Sequence, residues 1–157
     1  MAVQFTSQLP VSLRKRQKHD VRVQFAALCY RVAKARPEFL LVTSRDTRRW
    51  IVPKGWPMDG HTPTEAALIE AYEEAGVSGR AFDACIGVYS YVKRMRPGPD
   101  LACLVMVYPV LVKRLAQDYP EKGQRRRRWL SRKKAAQKAS ESALGRIILD
   151  FDHTLLS

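Results

Sequence analysis

Glu70, Glu73 and Glu74 fall within five consecutive positions of a chain that is otherwise strongly basic. On a helix advancing 100° per residue, their side chains share an arc of about 100°. Like charges at that spacing destabilise a helix by roughly a few tenths of a kcal/mol per pair. The chain carries 28 Lys and Arg against 15 Asp and Glu, so cations to dilute the cluster were available. Two readings of the cluster stand: a solvated acidic face, or a set of hard oxygen ligands for Mg²⁺ or Mn²⁺. The segment just before it, Pro53 to Gly60, is rich in proline and glycine and reads as a loop whose backbone N–H groups can meet phosphate oxygens. A net charge of +13 draws anions. The charge by itself does not choose among nucleic acid, a membrane surface and a multiply phosphorylated small molecule.

The elements that must position these groups can be read outward from the cluster. Thr62 is placed as an N-cap, with Pro63 at the first helical position and Glu65 at the third, a capping box. The helix runs to about Ala75, and Gly76 suits the position past its end. Leu68, Ala71, Tyr72 and Ala75 would face the core, opposite the acids. Upstream, Val21 to Tyr30 and Glu38 to Thr43 read as strands, with Trp50 to Val52 a third, short one. Downstream, Phe82–Val92 and Leu101–Val112 read as long β segments joined by a turn over Arg96 to Asp100. Residues 113–128 read as a basic, irregular connection ending in Arg125 to Arg128, followed by a short strand at Trp129 and Leu130. Ser131 to Ala139 and Ser140 to Phe151 read as helices, the second with Leu144, Ile147, Ile148 and Phe151 on one stripe. The fold class is α+β: a mixed sheet with one central helix and one or two more at the end. Residues 1–20, with the run Arg14 to His19, read as a basic, flexible arm ahead of a single domain over 21–157.

The stretch Gly55 to Val77, GWPMDGHTPTEAALIEAYEEAGV, resembles the 23-residue box of the Nudix hydrolase family. Gly55, Glu70, Glu73, Glu74, Gly76 and Val77 fall in its register, and Ala71 takes its first aliphatic place. The family's first Glu is replaced by His61 and its Arg by Ile69, both supporting positions and not the central ligands. The likeness extends over roughly residues 20–151. FLLVTSRDTRRWIVPKG and RRRRWLSRKKAAQKA resemble the branch that hydrolyses diphosphoinositol polyphosphates and diadenosine polyphosphates.

The resemblance implies a Nudix-type α/β/α sandwich and a pyrophosphohydrolase acting on a phosphoanhydride bond. It implies that Glu70 and Glu74 bind Mg²⁺ or Mn²⁺, and that Glu73 binds a further metal or acts as the base on water. Lys54 and the Gly55 backbone would touch phosphate. Arg22, Ser44, Arg45, Lys93, Arg94 and Arg125 would be substrate-binding groups by position in this branch.

The remaining features narrow the alternatives. Apolar runs such as Leu101 to Val107 are too short to span a bilayer. The N-terminus carries no apolar signal segment. Cys29, Cys85 and Cys103 lie in apolar stretches without metal-ligand spacing. They read as buried free thiols in a reducing cytoplasm. A catalytically idle Nudix module that binds a phosphorylated metabolite is one rival, motivated by His61 and Ile69. A nucleic-acid binder is another. Its basic runs at 14–19, 125–128 and 132–134 are not interleaved with aromatics, and no helix-turn-helix or RNP-type motif occurs, so it is disfavoured.

Overall fold

The computed structural model describes Gln8, Pro10 and residues 22–156. Most of the basic arm expected over 1–20 lies outside the described residues. Gln8 rests on the first turn of the central helix, its Oε1 accepting from Thr64 N at 3.0 Å and Thr64 Oγ1 at 2.7 Å.

The described strands are β1 (Val23–Ala33), β2 (Arg36–Thr43), β3 (Trp50–Ile51), β4 (Lys54–Gly55), β5 (Val77–Ala81), β6 (Gly87–Lys93), β7 (Leu101–Leu115) and β8 (Arg127–Ser131). The helices are α1 (Pro63–Ala75), α2 (Arg132–Lys138) and α3 (Ser142–Asp150), followed by a 3₁₀ turn over His153–Leu155. β1 is central and buried without interruption from Gln24 to Tyr30, which accounts for its nearly continuous apolar run. It runs parallel to β7, pairing Val23 with Leu104 through to Tyr30 with Leu111. It runs antiparallel to β2 and β4. The sheet is therefore mixed, with the order β3-β2-β1-β7-β5, β8 joined to β2 and β6 to β7.

Apolar side chains alternate between the two faces of this sheet. Phe25, Ala27, Cys29, Leu40, Val42, Tyr108 and Val110 pack under α1. Ala26, Leu28, Tyr30, Phe39, Leu41, Val105 and Val107 pack under α2 and α3. The result is the helix–sheet–helix layering of the Nudix expectation. α3 sits close on α2 because residue 145 is glycine; a Cβ there would stand 2.7 Å from the Ala136 carbonyl oxygen. Arg132 Nη1 closes the layer by donating to Ile148 O at 2.8 Å and Phe151 O at 2.6 Å, satisfying carbonyls that the end of α3 leaves open.

α1 has the expected ends. Thr62 Oγ1 accepts from Glu65 N at 3.1 Å, Pro63 opens the helix, and Gly76 takes the left-handed conformation at φ +68°. Its buried face differs from the expected one. Thr64, Ala66, Ala67, Ala71, Glu74 and Ala75 are buried, whereas Tyr72 is 42% exposed. The sheet is approached by the alanines, so the buried arc centres on Ala71. That centring turns Tyr72 outward and carries Glu74 inward.

Other expectations are corrected at their edges. The segment expected from Phe82 enters the ladder only at Gly87, and the segment ahead of it holds single contacts such as Phe82 N to Pro109 O. Val77–Ala81 is a strand that sequence reading left out. It holds a glycine and two polar residues in five positions, and it forms because the long β7 offers it an edge. β7 continues through Lys113 and Arg114, where an irregular connection was expected. Cys29 and Cys103 are buried free thiols, but Cys85 is exposed in the connection before β6. No described helix is long and apolar enough to cross a membrane.

Candidate active site

α1 sets its last two turns against β4 and the segment between β7 and β8. Glu74 is 3% exposed, an unusual position for a carboxylate on a helix face. Its two oxygens are held separately. Lys54 N donates to Oε2 at 3.1 Å, and Arg125 Nη2 lies 3.3 Å from Oε1. Glu70, one turn earlier, is in hydrogen-bond contact with Glu74. Two carboxyl groups that share a hydrogen bond hold a proton between them, and a bound cation can take that proton's place. Burial is the first cause that pushes Glu70 up to about 8; the hydrogen bond with Glu74 and the charges of Glu74, Glu73 and Glu121 add to it. Glu74 is likewise raised by burial, opposed chiefly by the Arg125 guanidinium.

β4 supplies the floor. Gly55 pairs with Phe25 on the face of the sheet that carries α1. The Glu70 carboxylate occupies the space in which a Cβ of residue 55 would stand. A side chain at this position would displace the Glu70 carboxylate from its place beside Glu74. Lys54, next to it, is depressed to about 8, first by burial and then by the charges of Lys93 and Arg125, with Glu74 opposing. Its ammonium lies 4.8 Å from the Tyr91 ring centre, and Lys93 Nζ lies 5.3 Å from that of Trp56. Tyr91 OH donates to Gln24 Oε1 behind this pair of cation–aromatic contacts.

Of the three acids expected to converge, two touch. Among the described residues, no three His, Cys, Asp or Glu side chains are gathered as a metal-holding group. Glu73 acts on Glu70 through its charge, while its backbone carbonyl accepts from Glu121 N at 3.0 Å. That bond docks the 116–126 segment onto α1. Glu121 itself, which sequence reading passed over, is ion-paired with Arg125 at 3.2 Å and Arg45 at 3.7 Å, and its charge reaches both Glu70 and Glu74. The one signal for it in the sequence is an acid four residues before Arg125, in a segment with no periodicity to give that spacing meaning.

The other expected groups divide by what they touch. Arg125 is engaged inside the protein: Nη2 with Glu74, Nε with Glu121 and Nη1 donating to Thr43 O at 3.2 Å. Ser44 Oγ meets Thr47 Oγ1 at 2.8 Å and accepts from Arg49 N at 2.9 Å, which spends its hydroxyl on the turn between β2 and β3. Arg22 and Arg94 are exposed. His61, at the loop end, meets Glu65 Oε2 at 3.2 Å and lies outside the carboxylate pair.

A family model for the Nudix domain matches residues 22–151. The chain belongs to the Nudix family. It is 30% identical over 156 residues to Nudix hydrolase 12, mitochondrial, of Arabidopsis thaliana, covering 88% of this chain and 77% of that one. It is 30% identical over 122 residues to diphosphoinositol polyphosphate phosphohydrolase 3-beta of Homo sapiens, covering 76% and 70%. Among solved structures, the C. elegans Ap4A hydrolase aligns with a TM-score of 0.57 at 19% identity over 82% of this chain and 94% of that one. The E. coli dihydroneopterin triphosphate pyrophosphohydrolase aligns with a TM-score of 0.65 at 17% identity over 83% and 94%. These two likenesses establish the fold. With the family assigned, this Nudix protein is an enzyme of the pyrophosphohydrolase class.

Nudix hydrolases generally use a divalent cation. The residues present fit one in part. The Glu70–Glu74 contact is a buried, charge-rich oxygen pair that a hard dication would relieve. The Arg125 guanidinium already neutralises one edge of that pair.

Proposed function

We propose that this Nudix hydrolase cleaves a phosphoanhydride bond in a polyphosphorylated small molecule, a diadenosine polyphosphate or a diphosphoinositol polyphosphate, with Mg²⁺ or Mn²⁺. The observation that carries the reading is the contact between Glu70 and Glu74 beneath Gly55, with Lys54 beside it. The human relative is named for diphosphoinositol polyphosphates and the C. elegans neighbour for Ap4A.

Glu70 and Glu74 would hold the cation. When bound, it would neutralise charge on the diphosphate and make the attacking water more acidic. Glu73 is the group that takes the proton from that water. Lys54, on a strand facing the pair, neutralises a phosphate oxygen. The half-buried Lys93 and the exposed Arg45, Arg94 and Arg22 add positive potential along the approach, which raises the encounter rate of a polyanion. Arg125 positions Glu74 and does not contact substrate. The thiols, unpaired in all three cysteines, suit a reducing compartment such as the cytoplasm.

The test is a panel of diadenosine polyphosphates, diphosphoinositol phosphates, nucleoside diphosphate sugars and oxidised nucleotides, each with Mg²⁺ and with Mn²⁺. Release of phosphate or nucleotide from one of the first two classes supports the reading. Glu73→Gln should lower turnover by about a hundredfold or more without unfolding the protein. Equal turnover by wild type and Glu73→Gln would overturn the role given to Glu73.

A further inference from the structure

On the face of the sheet opposite α1, the β1–β2 hairpin and helices α2 and α3 enclose a groove of about 1620 Å³. Its apolar lining includes Pro37, Ala136 and Leu149, the last 46% exposed. Its rim is basic. Lys34, Arg36 and Lys133 line it, are exposed, and have no ion-pair partner among the described residues. The one acid in the lining, Glu38, is neutralised by Arg31 at 2.9 Å. We propose that this groove binds an acidic peptide segment of a partner protein, with apolar side chains seated on Ala136 and Leu149 and carboxylates meeting the rim.

Size selects the class of occupant. Sites for small molecules run to roughly 300–1,000 Å³, and this groove is larger. A helical or extended segment fills such a trough with a row of side chains. Charge selects its sign, since three unpaired cations around an apolar floor repel a basic segment and complement an acidic one. Nucleic acid is the poorer fit, because no aromatic ring lines the groove to stack a base. A bilayer is a poorer fit too, since the apolar groups lie in a trough and not on a projecting surface.

Backbone geometry agrees. Lys34 and Ala35 both have positive φ, +50° and +64°, at the hairpin turn. That turn favours Asn-Gly, and L side chains adopt it only under backbone strain. The chain keeps a lysine at this strained position, where it stands on the groove's rim. The α1 carboxylates lie on the other side of the sheet, so a bound segment would leave the candidate active site open.

The probe is a fluorescein-labelled peptide of about 18 residues with Leu and Glu at helical spacing, titrated with the full chain and read by fluorescence anisotropy. Saturable binding is expected. Ala136→Trp, which fills the floor, and the combined Lys34→Glu, Arg36→Glu and Lys133→Glu should each weaken it by about tenfold or more. Circular dichroism melts accompany every variant. Lys133→Glu alone, on an exposed helix position, serves if the combined variant does not fold, and should still weaken binding measurably. The proposal is overturned by absence of saturation, or by equal binding of a peptide whose leucines are replaced with serine. It is overturned as well if single-stranded DNA or anionic vesicles bind more tightly and lose that binding in the same variants.

Discussion

Arg125 Nη2 lies 3.3 Å from Glu74 Oε1, and the two side chains are 10% and 3% exposed. A buried carboxylate on the site helix is therefore held by a cation from a different segment of the chain. The same guanidinium also meets Glu121 and the Thr43 carbonyl, so three elements depend on one side chain. Breaking a buried pair from one side leaves the other charge uncompensated, a cost of roughly 3–5 kcal/mol. Arg125→Ala should lower unfolding free energy by about 3 kcal/mol in urea titrations. Saturating Mg²⁺ should recover part of that loss, because a dication can replace the missing positive charge. Arg125→Ala with wild-type stability would show that Glu74 is carried neutral.

Gly55 and Glu70 make a second dependency, steric instead of electrostatic. Gly55→Ala puts a methyl group where the Glu70 carboxylate lies. Glu70 has rotatable bonds and can swing away, so the fold should lose no more than about 2 kcal/mol. The carboxylate pair would be separated. The expected outcome is a loss of turnover of about tenfold or more, with a melting temperature close to wild type. The double variant Gly55→Ala with Glu70→Ala should be no less stable than Glu70→Ala alone; an additive loss would place the strain elsewhere.

How far this site was legible follows from what kind of information each part uses. The ends of α1 were plain, because a capping threonine, a proline and a left-handed glycine act within a few residues of one another. The mixed sheet was legible from its apolar runs. The depth of Glu74 was not. Its burial depends on which arc of α1 meets the sheet, and the alanines on that arc carry little hydrophobic signal. Tyr72 misled for the same reason, since a tyrosine outweighs an alanine in any periodicity argument, although only the alanine fits at that separation. Glu121 was invisible because its meaning comes from a backbone bond to Glu73, across a gap in sequence that no local pattern spans. The strand at Val77–Ala81 was hidden in the same way, existing by virtue of the partner edge on β7.

In the proposed reaction Glu73 and Glu121 are rival bases, since each places negative charge near Glu70. Conservative amides separate them. Glu73→Gln removes a group that has no ion pair among the described residues and should lower kcat with little change in stability. Glu121→Gln removes the partner of Arg125 and Arg45, so its effect should include stability, at about 1 kcal/mol, with a smaller effect on kcat. Paired kcat and urea measurements on both variants would distinguish the roles. A larger kcat loss in Glu121→Gln would transfer the base to the docked segment.

Glu70 also gives the protein a pH dependence that a metal should erase. Its carboxyl is raised from 4.5 to about 8 in the folded chain. Between those values the unfolded chain has released this proton and the folded chain retains it. Stability therefore falls as pH rises through that window, the favourable contribution being complete below about 4.5 and gone above about 8. A dication that displaces the shared proton removes the penalty and binds more tightly where the proton is already scarce. Thermal melts with and without Mg²⁺ should thus show a larger Mg²⁺-induced rise at pH 8 than at pH 5.5. Glu70→Gln should flatten the metal-free pH dependence and reduce the Mg²⁺ response at both values. A Mg²⁺ shift independent of pH, or one retained in Glu70→Gln, would place the ion away from the Glu70–Glu74 pair.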